Sequence, residues 1–255
     1  MIEVPPALIA LATQELWQML GVFLRVSAVV SLMPAFGERS IPVRVKLAIA
    51  IVFALIVAPA VGEMPLPASP LGFAAFAIPE ILVGLALGVA IRLFVLALQT
   101  AGSIAAQATS LSQFLGGAGE PLPAMGMLLA LAGTTLALIL GLHVRAAAFL
   151  IHSYTLFPAG DLPVPSDMAR WGVAQVARSF GLAFTLATPF VIASLLYNLA
   201  LGVINRAMPQ LMVAFVGAPA ITMAGLFLLF ICTPVILPVW VDAMFAFLAD
   251  PAGAP

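Results

Sequence analysis

The sequence predicts an all-α integral membrane protein built from about six long apolar helices. Three observations carry this expectation. Of the 255 residues, 64% are hydrophobic and only 7% charged, whereas soluble domains carry about 25% charged residues. The mean hydropathy is +1.23. The apolar residues gather in runs of the length that a membrane helix needs, about 20 residues, with no two-residue alternation of the kind a β-barrel shows. A net charge of −1 gives no case for nucleic acid or for an anionic surface as the main partner. The single cysteine, Cys232, makes neither an intrachain disulfide nor a paired-cysteine metal site.

The first candidate span runs from Ala7 to Pro34. It is too long for a signal peptide, and Glu3 and Glu15 stand where a basic start would be. The stretch PAFGERSIPVRVK (Pro34–Lys46) breaks it, and Pro42 restarts a helix where a missing N–H costs little. The second span covers Val45–Val61, followed by the break EMPLPASP (Glu63–Pro70). The third covers Phe73–Leu98 and the fourth Met125–Ile151. LPVPSDMARW (Leu162–Trp171) is a further break in which Ser166 is a candidate helix cap. The fifth span covers Phe180–Ile204 and the sixth Pro219–Leu248, with Pro189, Pro234 and Pro238 inside them. Those prolines free carbonyls at depth and so imply kinks that a neighbouring helix must satisfy. The connections Thr100–Ala124 and His152–Ser179 are too short and polar to form a domain of their own.

Charged residues inside such spans need a protein or aqueous neighbour. Arg25 either snorkels or pairs with an acid on another span. Glu80 follows Pro79 at an expected helix start, where its charge complements the helix dipole; the competing reading is an ion pair with Arg92 or Arg25. Gly84 and Gly88 make a small-residue pair four apart, which predicts a close helix seam. Arg39, Arg44 and Lys46 form the densest basic cluster, which the positive-inside rule places in the cytoplasm. Strict alternation then puts Arg206 on the same side and Arg170 and Arg178 on the other. Asn198, Arg206, Gln210 and the prolines Pro209 and Pro219 interrupt an otherwise apolar run and call for a neighbour other than lipid.

Chemistry-bearing motifs are scarce. No phosphate-binding loop, His-Glu-x-x-His or Gly-x-Ser-x-Gly occurs. His143 and His152 have no acidic neighbours in sequence, so a backbone-bonded histidine at a helix end is the simpler reading than a Ser153–His143 pair. No catalytic, cofactor or metal site is expected. The segment QATSLSQFLGGAGEPLPAM is small, uncharged apart from one glutamate, and glycine-rich. It suits either an exposed loop or a re-entrant loop lining a water path.

Five stretches, in order, resemble the FliR family of flagellar biosynthesis and type III secretion proteins. They are RVSAVVSLMPAFGERSIPVRVKLAIAIVFALIVAP, PEILVGLALG, AGSIAAQATSLSQF with EPLPAM, GLHVRAAAFLIHSYTLFPAG, and NLALGVINRAMPQLMVAFVGAPA. Glu120-Pro121 stands where the family usually has Asp-Pro. The resemblance implies one subunit of an export gate, a closed helical hetero-oligomer built with FliP and FliQ homologues. FlhB-type and FlhA-type export proteins are further partners, and unfolded proteins pass through the pore. It implies a FliP-like part over roughly residues 1–180 and a FliQ-like part over roughly 181–255. The loop with Gln107, Phe114, Leu115, Gly116, Gly117, Glu120 and Pro121 would help plug the pore. Arg25, Glu80, Gly84, Gly88, Arg92, Asn198, Gly202, Arg206, Pro209 and Gln210 would serve packing or subunit contacts. The implied location is the bacterial inner membrane at the flagellar basal body, with lipid contact and no enzymatic activity. Injectisome use, and a small-molecule permease with a site around Arg92 and Glu80, are the alternatives.

Overall fold

The computed structural model describes residues 5–109, 124–207 and 213–253. Among these residues the chain is all helical, with seven α-helices: α1 Pro6–Leu32, α2 Val43–Val57, α3 Pro70–Thr109, α4 Ala124–Ile139, α5 Leu142–Leu156, α6 Pro165–Ala207 and α7 Val213–Ala249. A short 3₁₀ turn, Ala58–Ala60, follows α2. Among the described residues, five helices are long and apolar enough to cross a membrane, or six spans if the bent pair α4 and α5 counts as one.

Two compact units share these helices. The first holds α1, α2, α3 as far as Arg92, Leu140–Gln175 and the chain from Phe245 onward. The second holds Leu93–Ile139 and Val176–Met244.

The core of the first unit joins Val22 and Val26 of α1, and Met33 just after it, to Val83 and Leu87 of α3 and Phe149 of α5. Near its start, α1 carries glutamines that an apolar helix would not choose for lipid. Gln14 Nε2 donates to Met64 O at 2.9 Å. Gln18 Nε2 donates to Ala58 O at 2.8 Å and Val61 O at 2.9 Å. Trp17 Nε1 donates to Pro65 O at 3.1 Å, and its ring meets Phe76 at 5.1 Å. The proline-rich segment after α2 cannot satisfy its carbonyls by helix bonds, so one face of α1 satisfies them instead.

In the second unit, Trp240 of α7 is fully buried and donates to Phe94 O at 2.7 Å. Gly133 of α4 makes room for it: an added Cβ would lie 2.5 Å from Leu98 Cδ1 and 3.2 Å from the indole. Gly102 of α3 and Gly126 of α4 meet backbone to backbone, since a Cβ on Gly102 would lie 2.3 Å from Gly126 Cα.

Several boundaries differ from those read in the sequence. The expected fourth span is two helices bent by 78°. Gly141, at φ +88°, stands at the break, in the left-handed region that glycine alone enters freely. No proline stands there and apolar residues continue on both sides, so hydropathy does not reveal it, although His143 and Arg145 follow within four residues. The third helix starts at Pro70, with Ser69 Oγ accepting from Gly72 N at 3.1 Å as an N-cap, and it runs on to Thr109. Pro79 is therefore interior to the helix, and Glu80 does not sit at a helix start. The residues from Thr100 to Thr109 are helical rather than loop; Ser103 bonds back to Gln99 O at 2.9 Å. The expected connection His152–Ser179 shrinks to Phe157–Val164. Ser166 does not cap α6: Pro165 takes the first helical position and the Ser166 hydroxyl faces Asp167 at 3.4 Å. The helix runs unbroken through Pro189 in α6 and through Pro234 and Pro238 in α7.

These extensions make the helices long. α3, α6 and α7 have 40, 43 and 37 residues. At a rise of about 1.5 Å per residue they reach roughly 55–65 Å, about twice the ~30 Å hydrocarbon core of a bilayer.

Candidate functional site

The first unit contains a polar node where apolar packing would be expected. Arg25 of α1 and Glu80 of α3 face each other with both side chains at 0% exposure. The pairing is two-pronged: Nη2 to Oε1 and Nε to Oε2, each 2.9 Å. A planar guanidinium matches a carboxylate in this way. Each carboxylate oxygen takes a second donor. Oε1 accepts from Gly160 N at 2.9 Å, and Oε2 from Tyr154 Oη at 3.2 Å. Arg25 Nη1 donates to Ser153 O at 3.2 Å, and the guanidinium lies 3.8 Å from the centre of the Tyr154 ring. Among the described residues, no buried side-chain nitrogen or oxygen lacks a hydrogen-bond partner.

Local sequence explains how the node assembles. The Gly84 and Gly88 seam lies against α1: an added Cβ on Gly84 would stand 2.5 Å from Arg25 O, and one on Gly88 3.1 Å from Leu32 Cβ. The seam brings α3 close enough for Glu80 to reach Arg25. Gly160 has φ +77° and abuts Phe76, which a Cβ would meet at 2.9 Å. The Pro-x-Gly at residues 158–160 thus turns the chain so that the Gly160 amide points at the carboxylate. Arg25 and Glu80 are packing residues inside this chain, and their node locks α1, α3, α5 and the α5–α6 connection together.

Arg92 takes a different partner. Its Nη1 meets Glu38 Oε1 at 2.6 Å, with both side chains about one-third exposed. Lys46 Nζ donates to Gly37 O at 2.9 Å. These two bonds fix the segment Met33–Pro42, which includes Ala35 at a strained φ of +66°. Arg39 and Arg44 are exposed. Arg92 and Glu80 therefore do not converge on one site. Nor do Ser153 and His143 pair: Ser153 is buried and donates to Leu150 O at 2.7 Å, whereas His143 is exposed. His152 lies near the end of α5, and its ring partner is the Thr155 hydroxyl at 3.1 Å rather than the backbone.

Asn198, Gly202 and Arg206 are all exposed on the last turns of α6. A Cβ on Gly202 would meet nothing within 4 Å. Apolar neighbours on the same stretch are equally uncovered: Leu195, Leu199 and Val203 are each more than 60% exposed. Arg206 falls in the last turn, where a cation suits the helix dipole. Of the expected plug residues, Gln107 lies exposed near the end of α3. Phe114, Leu115, Gly116, Gly117, Glu120 and Pro121 lie outside the described residues, as do Pro209 and Gln210.

Reading single residues missed Gln14, Gln18, Glu38, Tyr154 and Gly160. The glutamines carry a usable signal, a polar pair four apart on an otherwise apolar helix. Tyr154 and Gly160 carry one only once the buried pair is known, because a buried carboxylate needs donors beyond its arginine.

Comparison with known proteins finds similarity over most of the chain. The family model "Bacterial export proteins, family 1" matches residues 16–247. A flagellar biosynthetic protein FliR from Caulobacter vibrioides is 37% identical over 227 residues, covering 87% of this chain and 90% of that protein. The FliR of Escherichia coli K12 is 30% identical over 218 residues, 84% of each chain. That of Bacillus subtilis is 29% identical over 228 residues, 86% of each. The chain is a helical membrane protein that belongs to family 1 of the bacterial export proteins.

Proposed function

We propose that this chain is a subunit of the flagellar type III protein export gate in the bacterial inner membrane. It assembles with FliP-like and FliQ-like chains around a pore for unfolded flagellar proteins, next to FlhA-type and FlhB-type components. The observation that carries the reading is the similarity to flagellar biosynthetic proteins over most of both chains. Two structural features support it. Helices of about twice the bilayer thickness suit an assembly that stands out of the membrane plane. The end of α6 mixes Asn198 and Arg206 with uncovered leucines, a surface that lipid alone would not solvate and a partner subunit would. The chain conducts and does not catalyse; energy enters through other components. The relatives' flagellar names favour flagellar over injectisome use. A permease site at Arg92 and Glu80 gains no support, since each is engaged by a different partner.

The test is secretion of flagellar hook and filament proteins in a strain lacking this gene, complemented with wild type or with Arg206→Ala. The deletion strain should secrete neither protein, and wild type should restore both. The Arg206→Ala chain should accumulate normally yet co-purify less partner and secrete several-fold less. Unimpaired secretion in the deletion strain would overturn the reading. Full activity of the Arg206→Ala chain would remove that residue from the interface.

A further inference from the structure

An open apolar groove of about 550 Å³ lies in the first unit. Phe36, Ala48, Val52, Phe53 and Ile56 line it, together with His143 and Val144 of α5. Ala48, Val52 and Ile56 are spaced four apart, so they form one row along α2. The residue one turn earlier in that row is Arg44. It is exposed and makes no ion pair among the described residues. Arg39 is likewise exposed and without an ion pair among them. The nearby acid in sequence, Glu38, is taken by Arg92, and Lys46 holds the Arg39 segment to the first turn of α2 through Gly37 O. Two uncompensated cations therefore head a strip of apolar surface.

We propose that this groove seats an acyl chain of an anionic phospholipid, with Arg44 and Arg39 holding the headgroup phosphate. The dimensions agree. From Arg44 to Ile56 is twelve residues, roughly 18 Å of helix, close to the depth of one leaflet of a ~30 Å hydrocarbon core. The charge agrees as well: guanidinium groups bind phosphate through paired N–H donors. A basic cluster is expected on the cytoplasmic side, where anionic lipid gathers. The near-zero net charge of the chain does not oppose this, because the recognition is local. A partner helix in the groove would leave Arg39 and Arg44 without a counter-charge unless it brought acids of its own.

The test uses the full chain co-expressed with its partner chains, carrying a photo-reactive benzoylphenylalanine at Val52, which is 55% exposed. The complex is reconstituted in vesicles of phosphatidylethanolamine and phosphatidylglycerol and irradiated, and adducts are identified by mass. The expected product is a phosphatidylglycerol adduct, enriched several-fold over its share of the vesicle. That enrichment should fall to the vesicle ratio in Arg39→Gln/Arg44→Gln. Adduct formation of either lipid should drop several-fold in Ala48→Trp, which fills the groove and leaves both arginines. A cross-link to a protein chain, or enrichment unchanged by both variants, would overturn the proposal. Both arginines are exposed, so the double variant should fold, and gel filtration of the complex checks this.

Discussion

Glu80→Ala is expected to destabilise the detergent-solubilised chain by about 3–5 kcal/mol, the cost of leaving one member of a buried ion pair without its partner. The substitution strands a guanidinium at 0% exposure, a Tyr154 hydroxyl and the Gly160 amide together. Arg25→Ala should cost a similar amount by stranding the carboxylate. At roughly 2–4 °C per kcal/mol for a chain of this size, the melting temperature should fall by on the order of 10 °C. Thermal unfolding followed by circular dichroism in one detergent checks it. Exchanging the charges, Arg25→Glu with Glu80→Arg, should not restore stability. The carboxylate must face Gly160 N and Tyr154 Oη, and the guanidinium must face Ser153 O. A charge-exchanged chain as stable as wild type would show that simple ion pairing, rather than this directional node, holds the helices.

Gly102→Val should have the second large effect. Its Cβ would fall 2.3 Å from Gly126 Cα and 2.4 Å from Gly126 N, both backbone atoms that no rotamer change can move. Overfilling a packed site costs about 1–3 kcal/mol where side chains can shift, and here α3 and α4 must separate. The expected outcome is a chain that elutes as aggregate, or unfolds several degrees earlier, during gel filtration and thermal scanning. Gly181→Ala provides the control. A Cβ there meets nothing within 4 Å, so the change should be neutral or slightly stabilising through helix propensity. Equal behaviour of the two variants would mean that the Gly102 seam is not close-packed.

Much of the fold is legible in the sequence because lipid-compatible helices need long uncharged runs, and the runs are plain. The helix ends are less legible. The break at Gly141 lies between two apolar runs with only His143 and Arg145 beside it, and a backbone at positive φ marks it. Pro79 looks like a boundary, yet Ser69 and Pro70 supply the real helix start. The first turns of α6 carry Asp167 and Arg170, whose composition reads as a polar connection although they are helical and pair at 2.6 Å. That pair is exposed and contributes little.

The candidate site divides in the same way. The Gly84 and Gly88 seam follows from spacing alone. Whether Arg25 snorkels or pairs does not, because Glu80 is 55 residues away and nothing local links them. Arg92 looks like the more suspicious charge, but it is partly exposed and paired with Glu38, and the fully buried arginine is Arg25. The stretch Asn198–Arg206 reads in sequence as needing a neighbour. Among the described residues, Asn198, Gly202 and Arg206 are exposed, and a Cβ on Gly202 would meet nothing within 4 Å.

The most direct measurement is the mass of the intact complex after mild-detergent purification of this chain with its chromosomal neighbours. The export-gate reading expects one large assembly with a single copy of this chain and several copies of two smaller apolar partners. A monodisperse monomer or homodimer, with no partner bound, would contradict it.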